Sequence, residues 1–334
     1  EEAMKLPITE GYAKYAEAEK LMLEDGYLAP IYQKASAYLE KDYVSGIVNN
    51  SWGADYTYTY ADVDKDDKVL NLATSSDIPT LDLSKATDQQ SFQTANTTME
   101  GLTRVDAEGK VQPGVAESWE TSEDGLTWTF KLRKNSTWSN GTPVTAHDFE
   151  YSWKRTLTPE TAAEYSYIMA DIVGSSTKEI QENGVDGVGV KALDDYTLEV
   201  KLNRPVAYFA ELVSFQVFFP QNQAFVESCG DAYGSAADKQ LYNGPFTLTS
   251  WKMEDQFTME KNPNYWDAAN VKLNKINTKV VKDTGAEVSL YEDGQIDRAI
   301  LSSDYVDKYK DSKELKTREV ASIFMLQING GNHK

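Results

Sequence analysis

Short blocks of apolar residues recur along the whole chain, and their spacing changes repeatedly between a helical and a strand period. Apolar residues three, four and seven positions apart predict helices over 9–25 and 90–101. Thr9 is a candidate N-cap of the first helix, and Gly26 is a candidate stop signal. Because helical and strand patterns are mixed throughout, the sequence predicts an α/β or α+β class.

Alternation of apolar and polar residues, or a short apolar run, predicts a set of strands. They lie at 28–32, 56–60, 69–73, 128–132, 198–202, 246–251, 256–260, 275–281 and 323–329. The charged stretch at 61–68 is typical of a solvated turn, and it would make the strands 56–60 and 69–73 neighbours in one sheet.

Two short sequences have the form of a capping box, in which a hydroxyl and a carboxylate three positions apart satisfy free N–H groups at a helix start. Thr145 and Asp148 form the first box, ahead of an apolar helical face that reaches residue 157. Thr284 and Glu287 form the second, and Gly294 is expected to end its helix.

The net charge of −20 restricts the partners of the protein. Nucleic-acid binding depends on Lys and Arg that neutralise phosphates, so we expect no nucleic-acid partner. The same charge argues against adsorption to anionic lipid through a basic patch. No apolar run approaches the roughly 18 residues that span a bilayer. Since the sequence opens with Glu1 and Glu2 rather than a basic segment, we also expect no signal peptide within it.

One stretch imitates a metal site. Asp62, Asp64 and Asp66 have the spacing that opens an EF-hand calcium loop. That loop requires Gly at its sixth position and Glu at its twelfth, where this chain has Asp67 and Ala73. The stretch is therefore interpreted as a solvated charge run, and we expect no metal.

Catalytic residues are not indicated. Cys229 is the single cysteine, and His147 and His333 are the two histidines, so neither an internal disulfide nor a zinc site is expected. The glycine-rich phosphate loops and the G-x-S-x-G nucleophile motif are absent from the sequence. We predict a protein that is not an enzyme and has no cofactor.

The segment 111–155 carries a specific resemblance. It contains Ala-Glu-Ser-Trp, Ser-Glu-Asp-Gly, Phe-Lys-Leu-Arg, a Trp-x-Asn-Gly-x-Pro-Val-Thr-Ala-x-Asp-Phe stretch and Tyr-Ser-Trp-Lys-Arg. These motifs start at residues 116, 122, 130, 138 and 151. In this order they closely resemble the signature of the peptide- and nickel-binding solute receptors of ABC importers. Segments 243–246, 262–266 and 290–297 are similar to later parts of the same family.

The resemblance implies an α/β, periplasmic-binding-protein-like fold of type II, in the large peptide-binding subclass. Residues 1–98 and 205–334 would form its main lobe, and 99–204 a small α/β satellite domain of that lobe. In the family, the segment resembling 1–63 lies at the carboxyl end. We therefore expect an engineered circular permutation with a junction at 64–68 and no second lobe; a sequence joined from fragments of a processed protein is the alternative.

By resemblance, the protein is a receptor that holds an extended oligopeptide between two lobes and delivers it to a membrane permease. The family implies the periplasm or the outer face of the cell membrane, with a lipid anchor outside this segment. Two alternatives stay open. One is a receptor for another solute, such as a nickel chelate, haem or an oligosaccharide. The other is an engineered assembly or scaffold module.

The resemblance also nominates ligand-binding residues. One group is a loop that lies along the peptide in relatives, a second is a cleft tyrosine, and a third is a strand reaching the hinge. They are Thr87, Asp88, Gln89 and Gln90 in the loop, Tyr165 in the cleft, and Tyr32, Gln33 and Lys34 on the strand. The family's acidic anchor for the peptide amino terminus belongs to the other lobe, so we expect this chain alone to bind peptide weakly or not at all.

Overall fold

The computed structural model describes residues 6, 8–26, 28–50 and 53–327. Within these ranges the α-helices are α1 (Ile8–Glu24), α2 (Gln89–Thr98), α3 (Ala146–Leu157), α4 (Thr177–Asn183), α5 (Phe209–Leu212), α6 (Gln223–Cys229), α7 (Thr284–Glu292) and α8 (Ser303–Tyr309). The strands are β1 (Leu28–Glu40), β2 (Val44–Ser45), β3 (Val48–Asn49), β4 (Tyr56–Thr57), β5 (Asp62–Val63), β6 (Val69–Thr74), β7 (Thr103–Val105), β8 (Val111–Pro113), β9 (Ala116–Thr121), β10 (Thr127–Leu132), β11 (Val190–Asp194), β12 (Thr197–Lys201), β13 (Phe246–Lys252), β14 (Gln256–Lys261), β15 (Lys275–Val280), β16 (Arg298–Leu301) and β17 (Leu315–Gln327). The mixed α/β class predicted from the sequence is confirmed.

A four-stranded sheet in the order β13-β14-β15-β6 forms the base of the main body. Its strands are antiparallel except for β15 and β6, which run parallel. Leu70, Ile276, Met259 and Leu248 lie side by side across the four strands, and all are buried. This apolar row explains the alternation in the sequence, because residues two positions apart point to the same face of a strand.

A second sheet, in the order β16-β1-β17, stands beside the first. Helix α7 packs against β16, and a separate apolar cluster that includes Leu39, Val288, Tyr291 and Ile296 fills the space between sheet and helix. β1 and β17 pair antiparallel along most of their length, with two register shifts. Beyond the body, 28–35 and 319–327 form a largely exposed two-stranded extension, which we call the outer ribbon.

The first part of the chain is joined to the rest by buried polar contacts as well as by the sheet. The carboxylate of Asp297 is 1 % exposed. It accepts hydrogen bonds from the Tyr43 hydroxyl at 2.7 Å, from Lys65 Nζ at 3.2 Å and from the backbone N–H of Asn71 at 2.6 Å. Residues 28–50 and 53–65 therefore belong to the same folded body as β6 and the turn before β16.

The satellite region is built on the sheet β11-β12-β10-β9, with α3 packed against β11 and β12. One continuous buried cluster extends from this region, through residues such as Phe130 and Trp153, into the main body. Arg155 on α3 donates to both carboxylate oxygens of Asp82, each at 2.7 Å, and fastens the helix to the main body. The boundaries proposed for the two domains stay a prediction.

Several local predictions are confirmed. The Thr145–Asp148 capping box opens α3, and the carboxylate of Asp148 accepts the Thr145 backbone N–H at 2.7 Å. The helices expected at 9–25 and 90–101 correspond to α1 and α2. The side chain of Thr9 and residues 328–329 lie outside the described part of the chain.

Several predictions are wrong. The strands β4 and β6 are not neighbours in one sheet, since β4 pairs with β3 and β6 pairs with β15. Between them in the chain lies β5, which pairs with β2. The second capping box does not form, since Asp283 is the N-cap of α7 and accepts the Ala286 N–H at 2.8 Å. The strands predicted at 28–32 and 323–329 are also too short. The observed strands β1 and β17 are longer, because their pairing continues through more polar residues.

Candidate ligand-binding cavity

A cavity of about 410 Å³ opens at the carboxyl end of β6. We call it the sheet-end cavity. Its floor is apolar and comes from the face of the main sheet, with Leu72 from β6, Phe257 and Met259 from β14, and Ile276 from β15. The residue pattern of these strands places large apolar side chains on this face, so the cavity has a hydrocarbon base.

The rim of the cavity is polar and begins where β6 ends, at Thr74, Ser75 and Ser76. The Thr74 hydroxyl donates to Gln90 Oε1 at 2.7 Å, which ties the end of β6 to the start of α2. Gln89 Nε2 donates to the Gly53 carbonyl at 2.9 Å. Two glutamine side chains from the first turn of α2 are thus held at the cavity.

Two tyrosines and an ion pair form another side. Tyr56 and Tyr58 line the cavity, with ring centroids 6.1 Å apart. The guanidinium groups of Arg298 and Arg318 lie 4.2 and 4.6 Å from the Tyr56 ring centroid. Arg318 Nη2 also pairs with Asp55 Oδ1 at 2.8 Å, so this lining carboxylate is neutralised. Burial raises the pKa of both tyrosines, which are therefore neutral at physiological pH.

The remaining side comes from α7 and from the end of β16, where Ile300, Leu301 and Ser302 line the cavity. The carboxylate of Glu287 also lines it, although the residue is only 7 % exposed. Glu287 Oε1 accepts the Ile300 backbone N–H at 2.8 Å. Burial raises the pKa of Glu287, and this hydrogen bond partly opposes the rise.

The structure brings two of the nominated residues to this cavity, namely Gln89 and Gln90. Asp88 is next to them but serves as the N-cap of α2, with its carboxylate accepting the Ser91 N–H at 2.8 Å. Thr87 is exposed beside this cap. The loop predicted from the family resemblance thus lies at the cavity, while its polar groups divide between helix capping and the cavity rim.

The other nominated residues lie elsewhere. Tyr165 is half-buried, and its ring meets those of Phe92 and Phe215 at centroid distances of 5.3 and 5.9 Å. Tyr32 and Gln33 lie on the outer ribbon, where Tyr32 stacks on Phe324 at 4.8 Å. The backbone of Lys34 is in β1, and its side chain lies outside the described part of the structure. Tyr165, Tyr32 and Gln33 do not line the sheet-end cavity, and the roles of all four residues stay predictions.

Several lining residues were missed from the sequence. Ser75 and Ser76 follow the predicted strand 69–73 with one residue between, and loops at strand ends often carry binding residues. Tyr56 and Tyr58 alternate strictly, and their shared face could have been noted. Glu287 was assigned to a capping box, so its position at the cavity was overlooked.

Among the residues that the structure describes, no helix is both long and apolar enough to cross a membrane. No cluster of three or more His, Cys, Asp or Glu residues in that part of the chain is arranged to hold a metal ion.

Comparison with known proteins places this architecture. A family model of bacterial extracellular solute-binding proteins, family 5 (middle region), matches residues 110–333. The "oligopeptide-binding protein OppA" of Bacillus subtilis is 37% identical over 249 residues, which cover 73% of this chain and 46% of that protein.

Two solved structures are also similar. The substrate-binding domain of an oligopeptide ABC transporter from Bacillus anthracis gives a TM-score of 0.73 at 47% identity, covering 75% of this chain and 48% of that one. The structure of Listeria monocytogenes OppA bound to peptide gives a TM-score of 0.72 at 42% identity, and the match covers 75% of this chain and 49% of that one. The chain spans about half the length of the relatives it matches. Because the family model covers more than half of the sequence, the resemblance seen in the motifs at 111–155 is confirmed: this chain belongs to the bacterial extracellular solute-binding proteins of family 5.

Proposed function

We propose that this chain forms one side of the ligand cleft of an oligopeptide receptor, and that the receptor serves an ABC importer. Two observations support this proposal: the sheet-end cavity, and the similarity of the chain to proteins that are named for oligopeptide binding. One of those relatives is described as bound to peptide. The importer permease, a location outside the cytoplasmic membrane and a lipid anchor are parts of the same proposal.

The observation that carries the proposal is the position of two sheet edges beside the cavity. β6 is the edge strand of the main sheet, and β16 is the edge strand of the second sheet. The last residues of both strands, Thr74 and Leu301, line the cavity. Asp297 and Glu287 already bind the Asn71 and Ile300 N–H groups on these edges. An extended peptide can add to the rest of such edges through main-chain hydrogen bonds, which recognise any sequence. The cavity below the edges then receives a side chain.

Photo-crosslinking tests this proposal, because it also detects weak binding. A short oligopeptide carrying a photoreactive residue is irradiated with the protein, and the crosslinked residues are mapped by mass spectrometry. We expect crosslinks at 74–76, at Gln89 and Gln90, and at 300–302, all removed by excess unlabelled peptide. Crosslinks confined to the outer ribbon, or crosslinks that unlabelled peptide does not remove, would contradict the proposal.

A pair of variants sharpens the test. Gln90→Ala removes the acceptor that holds the Thr74 hydroxyl at the cavity rim, so crosslinking at 74–76 should fall several-fold. Gln181→Ala is the matched control, because Gln181 is exposed on α4 and does not line the cavity. Equal loss in both variants would show that the effect is not local.

A further inference from the structure

The sheet-end cavity contains two carboxylates in different electrostatic situations. Asp55 is paired with Arg318 at 2.8 Å. Glu287 has no Lys, Arg or His nitrogen within 4.0 Å in the part of the chain that the structure describes. The uncompensated negative charge of the cavity is therefore on Glu287.

Within the described ranges, one oxygen of Glu287 has a hydrogen-bond partner and the other has none. Oε1 accepts the Ile300 N–H at 2.8 Å, which satisfies a donor on the free edge of β16. Across the described residues, Oε2 has no hydrogen-bond donor. The residue as a whole is 7 % exposed, but Oε2 is not among the fully buried polar atoms that lack a partner, so this oxygen is accessible from the cavity. It is therefore open to a donor from a bound ligand.

The walls around Glu287 indicate what kind of donor fits. Leu72, Ile276 and Met259 supply a hydrocarbon surface, and the hydroxyl residues Thr284 and Ser302 lie near the α7 end of the cavity. Lys and Arg side chains have this combination of an aliphatic stem and a cationic head. The amino terminus of a peptide is also an ammonium group, but it has no stem to cover the apolar floor.

We infer that the sheet-end cavity is a subsite for a basic side chain of the bound peptide, whose cationic head pairs with the free oxygen of Glu287. This inference rests on the proposed function, because it requires a peptide backbone at the cavity mouth. It makes Glu287 a specificity-determining residue in a receptor whose other contacts are with the peptide backbone.

The test uses short alanine peptides in which one position in turn carries lysine, norleucine or glutamate. Their affinities are measured by competition against the photoreactive peptide. At one position we expect lysine to compete about tenfold or more better than norleucine, since a hydrogen bond to a charged group has roughly this effect. Glutamate at that position should compete worst. The same ranking should persist when the peptide amino terminus is acetylated.

Glu287→Gln keeps the acceptor for the Ile300 N–H and removes the charge. In this variant the lysine peptide should lose about tenfold in affinity, while the norleucine peptide changes less than about twofold. Glu292→Gln is the control on the same helix, because Glu292 is exposed and pairs with Lys308 at 2.7 Å. It should change neither affinity.

The outcomes separate the two proposals. If no peptide competes, the proposed function fails and this inference fails with it. If norleucine peptides compete but lysine gives no advantage at any position, the subsite inference alone is overturned. A lysine preference that disappears on acetylation, or one that Glu287→Gln leaves intact, would also overturn it.

Discussion

Single residues at the cavity differ in how far the sequence reveals them. Gln89 and Gln90 were nominated through the family resemblance, and the structure places both at the cavity. Glu287 was misassigned, because the Thr-x-x-Glu spacing that forms a capping box also occurs when the true N-cap is one residue earlier, at Asp283. The orientation of the Glu287 side chain is set by its hydrogen bond to Ile300. Because Ile300 lies on a different element of the chain, no local pattern around α7 reveals this contact.

The burial of Glu287 predicts a pH effect on stability. Its pKa is raised in the folded protein, so the folded state binds a proton more tightly than the unfolded state, where the pKa is about 4.3. The charged carboxylate therefore destabilises the fold progressively as the pH rises from about 4.3 through the raised pKa. Glu287→Gln removes this penalty and keeps the Ile300 hydrogen bond.

Urea unfolding of both proteins at several pH values measures the difference. We expect the free energy of unfolding of Glu287→Gln, relative to the natural residue, to increase between pH 4 and pH 7. At pH 4 the two should be close, because the glutamate is then largely protonated. A relative stability that falls as the pH rises would show that the charged form is favoured by the fold.

Elements whose signals are local were predicted well, whereas pairings over long sequence distances were not. Helix α3 begins at its capping box because Asp148 and Thr145 are three residues apart. The pairing of β1 with β17 joins Leu28 to Gln327, and no local pattern specifies it. The short strands β2 to β5 are defined by their partners rather than by apolar alternation, which explains why the 56–60 prediction was too long.

The attachment of the first segment to the body can be tested at Asp297. Asp297→Ala removes a buried acceptor from the partly buried donors of Tyr43, Lys65 and Asn71. Because water can reach these donors in part, we expect the free energy of unfolding to decrease by about 1–3 kcal/mol. Asp307→Ala, at an exposed position of α8, should change it by less than about 0.5 kcal/mol.

Urea denaturation followed by far-ultraviolet circular dichroism provides the measurement for Asp297. The unchanged protein should unfold in one transition, because β1, Tyr43 and Lys65 share a sheet and polar contacts with the rest. Equal stability of the two variants, or a separate early transition of the first segment, would contradict this account of the fold.

At the scale of the whole molecule, the main body and the satellite region share one buried apolar cluster. The cavity lies where the edges of two sheets approach, with its apolar floor supplied by one sheet and its polar rim by loops and helix starts. The class and the family followed from the sequence, but this meeting of two edges did not, because it depends on which strands end a sheet. The permuted order and the absence of a second lobe stay predictions.

The central claim is that a peptide backbone binds at the edges of β6 and β16. Hydrogen–deuterium exchange, with and without a near-saturating oligopeptide, tests it most directly because it reports on main-chain N–H groups. We predict slower exchange on peptide addition in fragments spanning 69–76 and 298–302, with the outer ribbon at 28–35 and 319–327 unchanged. Unchanged exchange at both edges, or protection confined to the outer ribbon, would contradict the claim.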